Sequence, residues 1–295
     1  VTSPTLGRAG ARVGGLLREA GQRLRDAGIA TARQDAELLL AQALGTTRLV
    51  LQIDADREIK PAALAGFERL LARRAGHEPL QYLLGVEEFM GLRIAVGPGV
   101  FIPRPETEVL VERALAGLSG TGGPALDLCA GSGVVACALA ARRPDLAVWA
   151  VERSPRAARF ARANVDDLGL ADRVRVLEGD LFAPLTGLDL GGRCDVVVAN
   201  PPYLARPTLA ALPAEVRDWE PASALDGGPD GLAVVARILA EAPRFVRPGG
   251  RVLLEIGHDQ AARLRGRLAA DPRYARPVVH RDLAGHERVL EVGVR

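Results

Sequence analysis

At 295 residues, 48 % of them hydrophobic, and with a formal net charge of +2, the chain is long enough for two domains with a full core. Its charge is unevenly placed, with a mild basic excess at the start, yet this is weaker than the concentrated basic patch of a nucleic-acid binder. No apolar run is long enough to span a bilayer and no secretory h-region opens the chain; Cys129, Cys137 and Cys194 form no C-x-x-C pair, and His77, His258, His280 and His286 lie too far apart for ligand spacing, so a cytoplasmic protein without a metal site is expected.

The first 77 residues carry 12 basic against 8 acidic side chains and read as helical. Val13, Leu16, Leu17, Ala20 and Leu24 fall on one stripe, as do Ala36, Leu39, Leu40, Ala43 and Leu44; Thr31 to Gln34 has the form of a capping box. A third helix runs through Leu64, Phe67, Leu70 and Leu71, with Pro61 in its first turn. From Gln81 to Val100 the period changes, and Tyr82-Leu83-Leu84-Gly85 and Leu92 to Val96 around the Gly91 turn predict a β-hairpin linker, placed at 78–100. A helix from about Glu106 to Leu118 follows, then a Ser-Gly-Thr-Gly-Gly turn.

Beyond Pro124, apolar strands at Ala125–Leu128, Ala147–Val151, Val174–Leu177, Val196–Ala199 and Val252–Ile256 alternate with helices such as Arg156–Leu168 and Leu232–Val246. That order predicts a doubly wound, mostly parallel sheet with ligands at the carboxyl ends of its strands. Pro277–His280 and Arg288–Val294 end the chain as an antiparallel hairpin. The expected domains are 1–77, 78–100 and 101–295.

Residues after four successive strands have the chemistry of a ligand site. Leu126 to Gly133 joins a strand to a helix through Cys129-Ala130-Gly131-Ser132-Gly133, where glycines allow close approach to unpaired helix N–H groups, a place for a nucleoside-bearing ligand. Glycine in such a turn also serves packing alone. Glu152 ends the next strand at the interval where a carboxylate meets a ribose diol, or is a strand-end charge. Asp180 could accept from an adenine amino group with Leu181 or Phe182 on the ring, though Asp also simply forms turns. Asn200-Pro201-Pro202-Tyr203 makes a rigid turn: the Asn200 amide oxygen and the Pro201 carbonyl are two acceptors for a planar NH2, and Tyr203 can cover its face; the same letters can be only a loop. The first loop is not G-x-G-x-x-G, which counts against a nicotinamide enzyme.

With these motifs the chain resembles the S-adenosylmethionine-dependent methyltransferases, and closely the HemK/PrmC family of protein-glutamine methyltransferases acting on peptide-chain release factors. The likeness extends to Glu78 to Gly85, Phe101-Ile102-Pro103-Arg104-Pro105-Glu106-Thr107-Glu108, Glu220-Pro221, Gly227-Gly228, Asp230-Gly231-Leu232 and Leu254-Glu255-Ile256-Gly257. It implies a Rossmann-like class I fold with a seven-stranded sheet, an N-terminal helical substrate-recognition domain, and S-adenosyl-L-methionine as cofactor. The cofactor contacts it implies are Phe101, closing over the methionine end, Cys129, Ala130, Gly131, Ser132, Gly133, Glu152, Asp180, Leu181 and Asn200. The target glutamine, that of the release-factor GGQ motif, would lie on Asn200, Pro201, Pro202 and Tyr203, with Asn200, Pro201 and Tyr203 carrying catalysis. Cys129-Ala130 stands where the family more often has Gly-Thr.

An amide nitrogen is a poor nucleophile, so the site must orient it and favour electron density on nitrogen; no general base is evident beside the motif, and the proton is expected to leave after transfer. A ribosomal-protein glutamine, or an adenine or guanine amino group, is the alternative acceptor, and a binding protein that has lost catalysis the non-enzymatic one. The expected partner is a protein, met by a monomer without direct nucleic-acid or membrane binding.

Overall fold

The computed structural model describes residues 11–118 and 122–295. The turn expected at Ser119 to Gly123 falls largely outside them. The chain divides into two compact units, one running through Gly85 and taking in Ala214–Trp219, the other formed by Val86–Pro213 and Glu220–Arg295.

In the first unit, α1 (Val13–Asp26), α2 (Ala32–Leu44), α3 (Arg48–Ile53), α4 (Pro61–Ala75) and α5 (Leu80–Leu84) enclose a core that includes Leu16, Leu24, Leu39, Leu40, Phe67 and Leu71. Both predicted stripes face it. Gly45 ends α2 in the left-handed conformation, and Pro61 opens α4 where its missing N–H costs nothing. Three readings change. Thr31 makes no side-chain cap bond, because its ψ of 20° departs from the extended backbone that aims a cap oxygen at the helix. Tyr82 to Leu84 belong to a helix entered from Pro79 and ended by Gly85 at φ 75°, so the hairpin loses its first predicted strand. Finally, α3 has no apolar period to reveal it: Leu49 and Ile53 are exposed.

The second unit begins with the hairpin β1 (Val86–Phe89) and β2 (Leu92–Ala95), turned by Met90 and Gly91. There follow α6 (Thr107–Ala116), β3 (Ala125–Leu128), α7 (Val134–Arg142), β4 (Val148–Glu152), α8 (Pro155–Asp167), β5 (Val174–Glu178) and β6 (Cys194–Ala199). After α9 (Ala214–Arg217), which belongs to the first unit, come α10 (Ala233–Glu241), β7 (Val246–Glu255), α11 (Ala261–Ala269), β8 (Val278–Arg281) and β9 (Glu287–Gly293). The helix expected to reach Val246 stops at Glu241, where Pro243 removes a donor and the chain tightens into a 3-10 turn.

The seven strands lie in the order β5-β4-β3-β6-β7-β9-β8, the first five parallel and β9 antiparallel to both neighbours. Strands β3 and β6 are buried throughout, as a sheet covered on both faces requires. The chain runs outward from β3 to β5 and returns on the other side of β3 at β6, which makes the gap between β3 and β6 the switch point where a crevice opens. Leu128 lies opposite both Val151 and Ala199, and Ala199 opposite Leu254, so the loops after β3, β4, β6 and β7 leave the sheet at one level.

Candidate active site

A cavity of about 240 Å³ opens at that edge. The glycine turn after β3 forms its floor, with Gly131 at φ 57° and Gly133 at φ 77°. A Cβ placed on Gly131 meets no atom within 4 Å, so the main chain there faces open space; one on Gly133 would lie 3.0 Å from the Ala161 Cβ. Gly133 is therefore a packing glycine against α8, and it does not line the cavity, whereas Cys129, Ala130, Gly131 and Ser132 do. Cys129 holds φ 58°, a conformation glycine adopts freely and a side chain only at a cost, on the order of 1 kcal/mol. Burial, helped by the charge of Glu152, pushes its thiol pKa up and keeps it protonated.

Glu152, the last residue of β4, accepts from Gly131 N at 2.8 Å on one carboxylate oxygen and from Ser154 N at 2.7 Å on the other. It ties the first loop to the second and keeps lone pairs for further donors. Asp127, inside β3, accepts from Ala136 N at 3.0 Å; burial, with a smaller push from Glu152, carries its pKa up to about 8. Asp180 lines the cavity after β5, and its two oxygens meet Arg237 of α10 at 2.6 and 3.4 Å. The sequence reading left Arg237 out; it pairs with Asp180 and orients it, leaving that carboxylate only its remaining lone pairs for a ligand. Leu181, at φ 50° and nearly buried, forms the adjoining apolar wall.

Phe101 lines the mouth, with the Arg104 guanidinium 4.8 Å from its ring centroid. Arg104 is bound to buried Glu220, which also accepts from Ile102 N at 3.2 Å, so one carboxylate secures the Phe101 segment. On the β6 side, Asn200, Pro202 and Tyr203 line the cavity; Pro201, between them, does not. Asn200 Nδ2 donates to Thr107 Oγ1 at 3.1 Å, Thr107 Oγ1 donates to Glu255 Oε2 at 2.7 Å, and the Tyr203 hydroxyl donates to Glu255 Oε1 at 3.3 Å. Neither Thr107 nor Glu255 was given a role by the sequence. The register explains their presence, because Glu255 follows Leu254 as Asn200 follows its partner Ala199.

The cavity residues fit a nucleoside-bearing cofactor. The Ser132 hydroxyl is buried without a partner among the described residues, which leaves a donor for a ligand's polar atom, and Glu152 and Asp180 bring carboxylates to the cavity from the ends of adjacent strands. An open parallel sheet with a glycine turn, a strand-end acid and a switch-point crevice, joined to an Asn-Pro-Pro-Tyr acceptor turn, defines a class I S-adenosylmethionine-dependent methyltransferase. Two family models match, the PrmC N-terminal domain over residues 15–85 and the methyltransferase small domain over 93–211. Curated relatives include the release factor glutamine methyltransferase of Mycolicibacterium smegmatis, 45 % identical over 90 % of this chain and 92 % of that one. Its counterpart in Moorella thermoacetica is 44 % identical over 92 % and 95 %. The chain belongs to the release factor glutamine methyltransferase family.

Among solved structures, the hMettl16 catalytic domain in complex with a MAT2A 3'UTR hairpin aligns at a TM-score of 0.56 and 19 % identity, over 76 % of this chain and 81 % of that one, a likeness of fold. No helix among the described residues is long and apolar enough to cross a membrane.

Proposed function

We propose that the chain transfers a methyl group from S-adenosyl-L-methionine to the side-chain amide nitrogen of a glutamine in peptide-chain release factors, the GGQ glutamine. The observation that carries this reading is the Asn200 amide, which lines the cavity with its NH2 turned onto Thr107 and no protein donor on Oδ1 among the described residues. A glutamine NH2 has two hydrogens to place. Asn200 Oδ1 accepts one, and we assign the other to the main-chain carbonyl of Pro201, one residue along the same turn, although Pro201 itself does not line the cavity. Both bonds draw density toward the nitrogen that attacks, and they fix its lone pair in one direction.

When bound, the cofactor supplies a methyl group on a sulfonium. Glu152 receives its ribose, Asp180 and Leu181 its base, the turn from Cys129 to Ser132 its amino-acid end, and Phe101 covers that end from the mouth. The Tyr203 ring shields the acceptor amide, and burial, with the charge of Glu255, raises its hydroxyl pKa so that it stays neutral. We read the enzyme as a cytoplasmic monomer, with three unpaired cysteines fitting a reducing compartment.

The test is transfer from labelled cofactor to full-length release factors, ribosomal proteins and nucleic acid, with the modified residue located by mass spectrometry. A single methyl on the release-factor glutamine is expected, and Asn200→Ala lowers turnover on the order of a hundredfold with cofactor affinity retained. Label found on nucleic acid alone, or a fully active Asn200→Ala enzyme, would sink the reading.

A further inference from the structure

Glu255 and Thr107 lie outside the reacting groups, yet their hydrogen bonds decide which way Asn200 points. Glu255 closes β7 and is 1 % exposed. An ionised carboxylate only accepts, and its two oxygens face two hydroxyls, Thr107 at 2.7 Å and Tyr203 at 3.3 Å. Each hydroxyl has one proton, and Glu255 takes both. Thr107 Oγ1 is left with lone pairs alone, and an amide can meet a lone pair only with its NH2. The 3.1 Å bond between Thr107 and Asn200 therefore has one permitted direction, and the other end of the Asn200 amide is an acceptor. A flipped Asn200 would set its oxygen against the Thr107 lone pairs and offer NH2 to a substrate NH2, leaving donors facing donors.

We propose that Glu255, acting through Thr107, is the positioning residue that sets the amide orientation of Asn200 for methyl transfer and, through Tyr203, holds the ring of the same turn. This rests on the reading in which Asn200 Oδ1 binds the substrate amide. The groups facing Glu255 are the Thr107 and Tyr203 hydroxyls, Arg288 of β9 as the nearby cation and Glu106, just before α6, as the nearby anion. Burial outweighs the hydroxyls and Arg288 and lifts the carboxyl pKa to about 7. Once protonated, Glu255 can donate to Thr107 Oγ1; Thr107 is then free to donate to Asn200 Oδ1, and the flipped orientation becomes acceptable too. The ordered acceptor belongs to the ionised form.

The experiment compares wild type, Thr107→Val, Thr107→Ser and Glu255→Gln in methyl transfer to a full-length release factor between about pH 5.5 and 8.5, with cofactor affinity measured in parallel. Valine keeps the shape of threonine and removes the acceptor, whereas serine keeps it. Expected are a fall in kcat of roughly thirtyfold for Thr107→Val, a value within about threefold of wild type for Thr107→Ser, and unchanged cofactor affinity for both. Wild-type kcat should rise with pH through a midpoint near 7, and Glu255→Gln should lack that limb. Equal losses for the valine and serine variants, or an acid limb that survives in Glu255→Gln, overturn the proposal.

Asn200 can also be followed without substrate. Its side-chain 15N amide signal in the free protein should shift with pH through the same midpoint in wild type and lose that shift in Thr107→Val. A signal indifferent to both overturns the relay even if the acceptor proves not to be a release factor; absent transfer by wild type alone counts against the proposed function instead.

Discussion

Replacing Arg74 by alanine should cost the first unit about 3–5 kcal/mol, the range for stripping one partner from a buried ion pair. Arg74 and Asp35 are 3 % and 2 % exposed at their side chains, joined at 2.7 Å; the guanidinium also binds Glu215 at 2.7 Å and the Glu78 carbonyl at 3.0 Å. With arginine gone, Asp35 keeps its burial and loses its cation. Glu215 can rehydrate, since 37 % of its side chain is exposed, and adds little to the loss. The chain has two tryptophans, Trp149 in β4 and Trp219 in the segment assigned to this unit, so a Trp149→Phe background makes Trp219 fluorescence the reporter. In urea the midpoint should fall by about 2 M, given a slope of roughly 1–3 kcal/mol per molar. The pair Asp35→Leu with Arg74→Met, which removes charge and keeps volume, should recover most of the stability. A loss below about 1 kcal/mol for Arg74→Ala, or a double variant as unstable as the summed singles, would refute the reasoning.

Glu255→Gln should also change how stability depends on pH. A carboxyl held near 7 in the fold, against an ordinary 4.5, contributes stability that is complete below about 4.5 and lost as pH rises through 7, about 3 kcal/mol in all. The glutamine variant lacks this slope, so it should gain on wild type by that amount between pH 4.5 and 8 in paired denaturation curves; a constant difference would refute the buried-carboxyl account. Ser132→Ala removes a buried hydroxyl without a partner and should leave the free protein as stable or about 1 kcal/mol more so, while calorimetry shows weaker cofactor binding. Gly227→Ala would put a methyl 2.7 Å from the Pro202 carbonyl oxygen, and displacement of that turn should reduce kcat by tenfold or more, with little change in cofactor affinity.

The parallel core was legible because each of its strands is a short apolar run ending in a turn, and cavity-lining residues sit at those ends. Glu152, Asp180 and Asn200 could be picked out by position alone. Gly133 looked like a member of the cradle, and only the tertiary neighbour Ala161 reveals it as packing. Thr107 and Glu255 were present in quoted motifs yet carried no local signal, since 148 residues of chain separate them and the sheet register alone brings them together. Arg237 was hidden in the same way, as one polar residue on an amphipathic helix. The Tyr82 strand failed for a different reason: four apolar letters cannot tell strand from helix, and the deciding features were Pro79 before them and left-handed Gly85 after.

The path of the chain has a consequence for synthesis. It leaves the helical unit at Gly85, comes back for Ala214–Trp219 and leaves again at Glu220. The first five helices emerge from the ribosome early, but Arg74 cannot meet Glu215 until most of the sheet has already been made. The unit translated first is thus completed late, and it waits half-finished while the parallel strands assemble. Cutting the gene at residue 85 would leave the helical fragment unfinished and the other fragment carrying a segment with nowhere to pack, whereas supplying Ala214–Trp219 as a peptide to the isolated helices would complete the first unit.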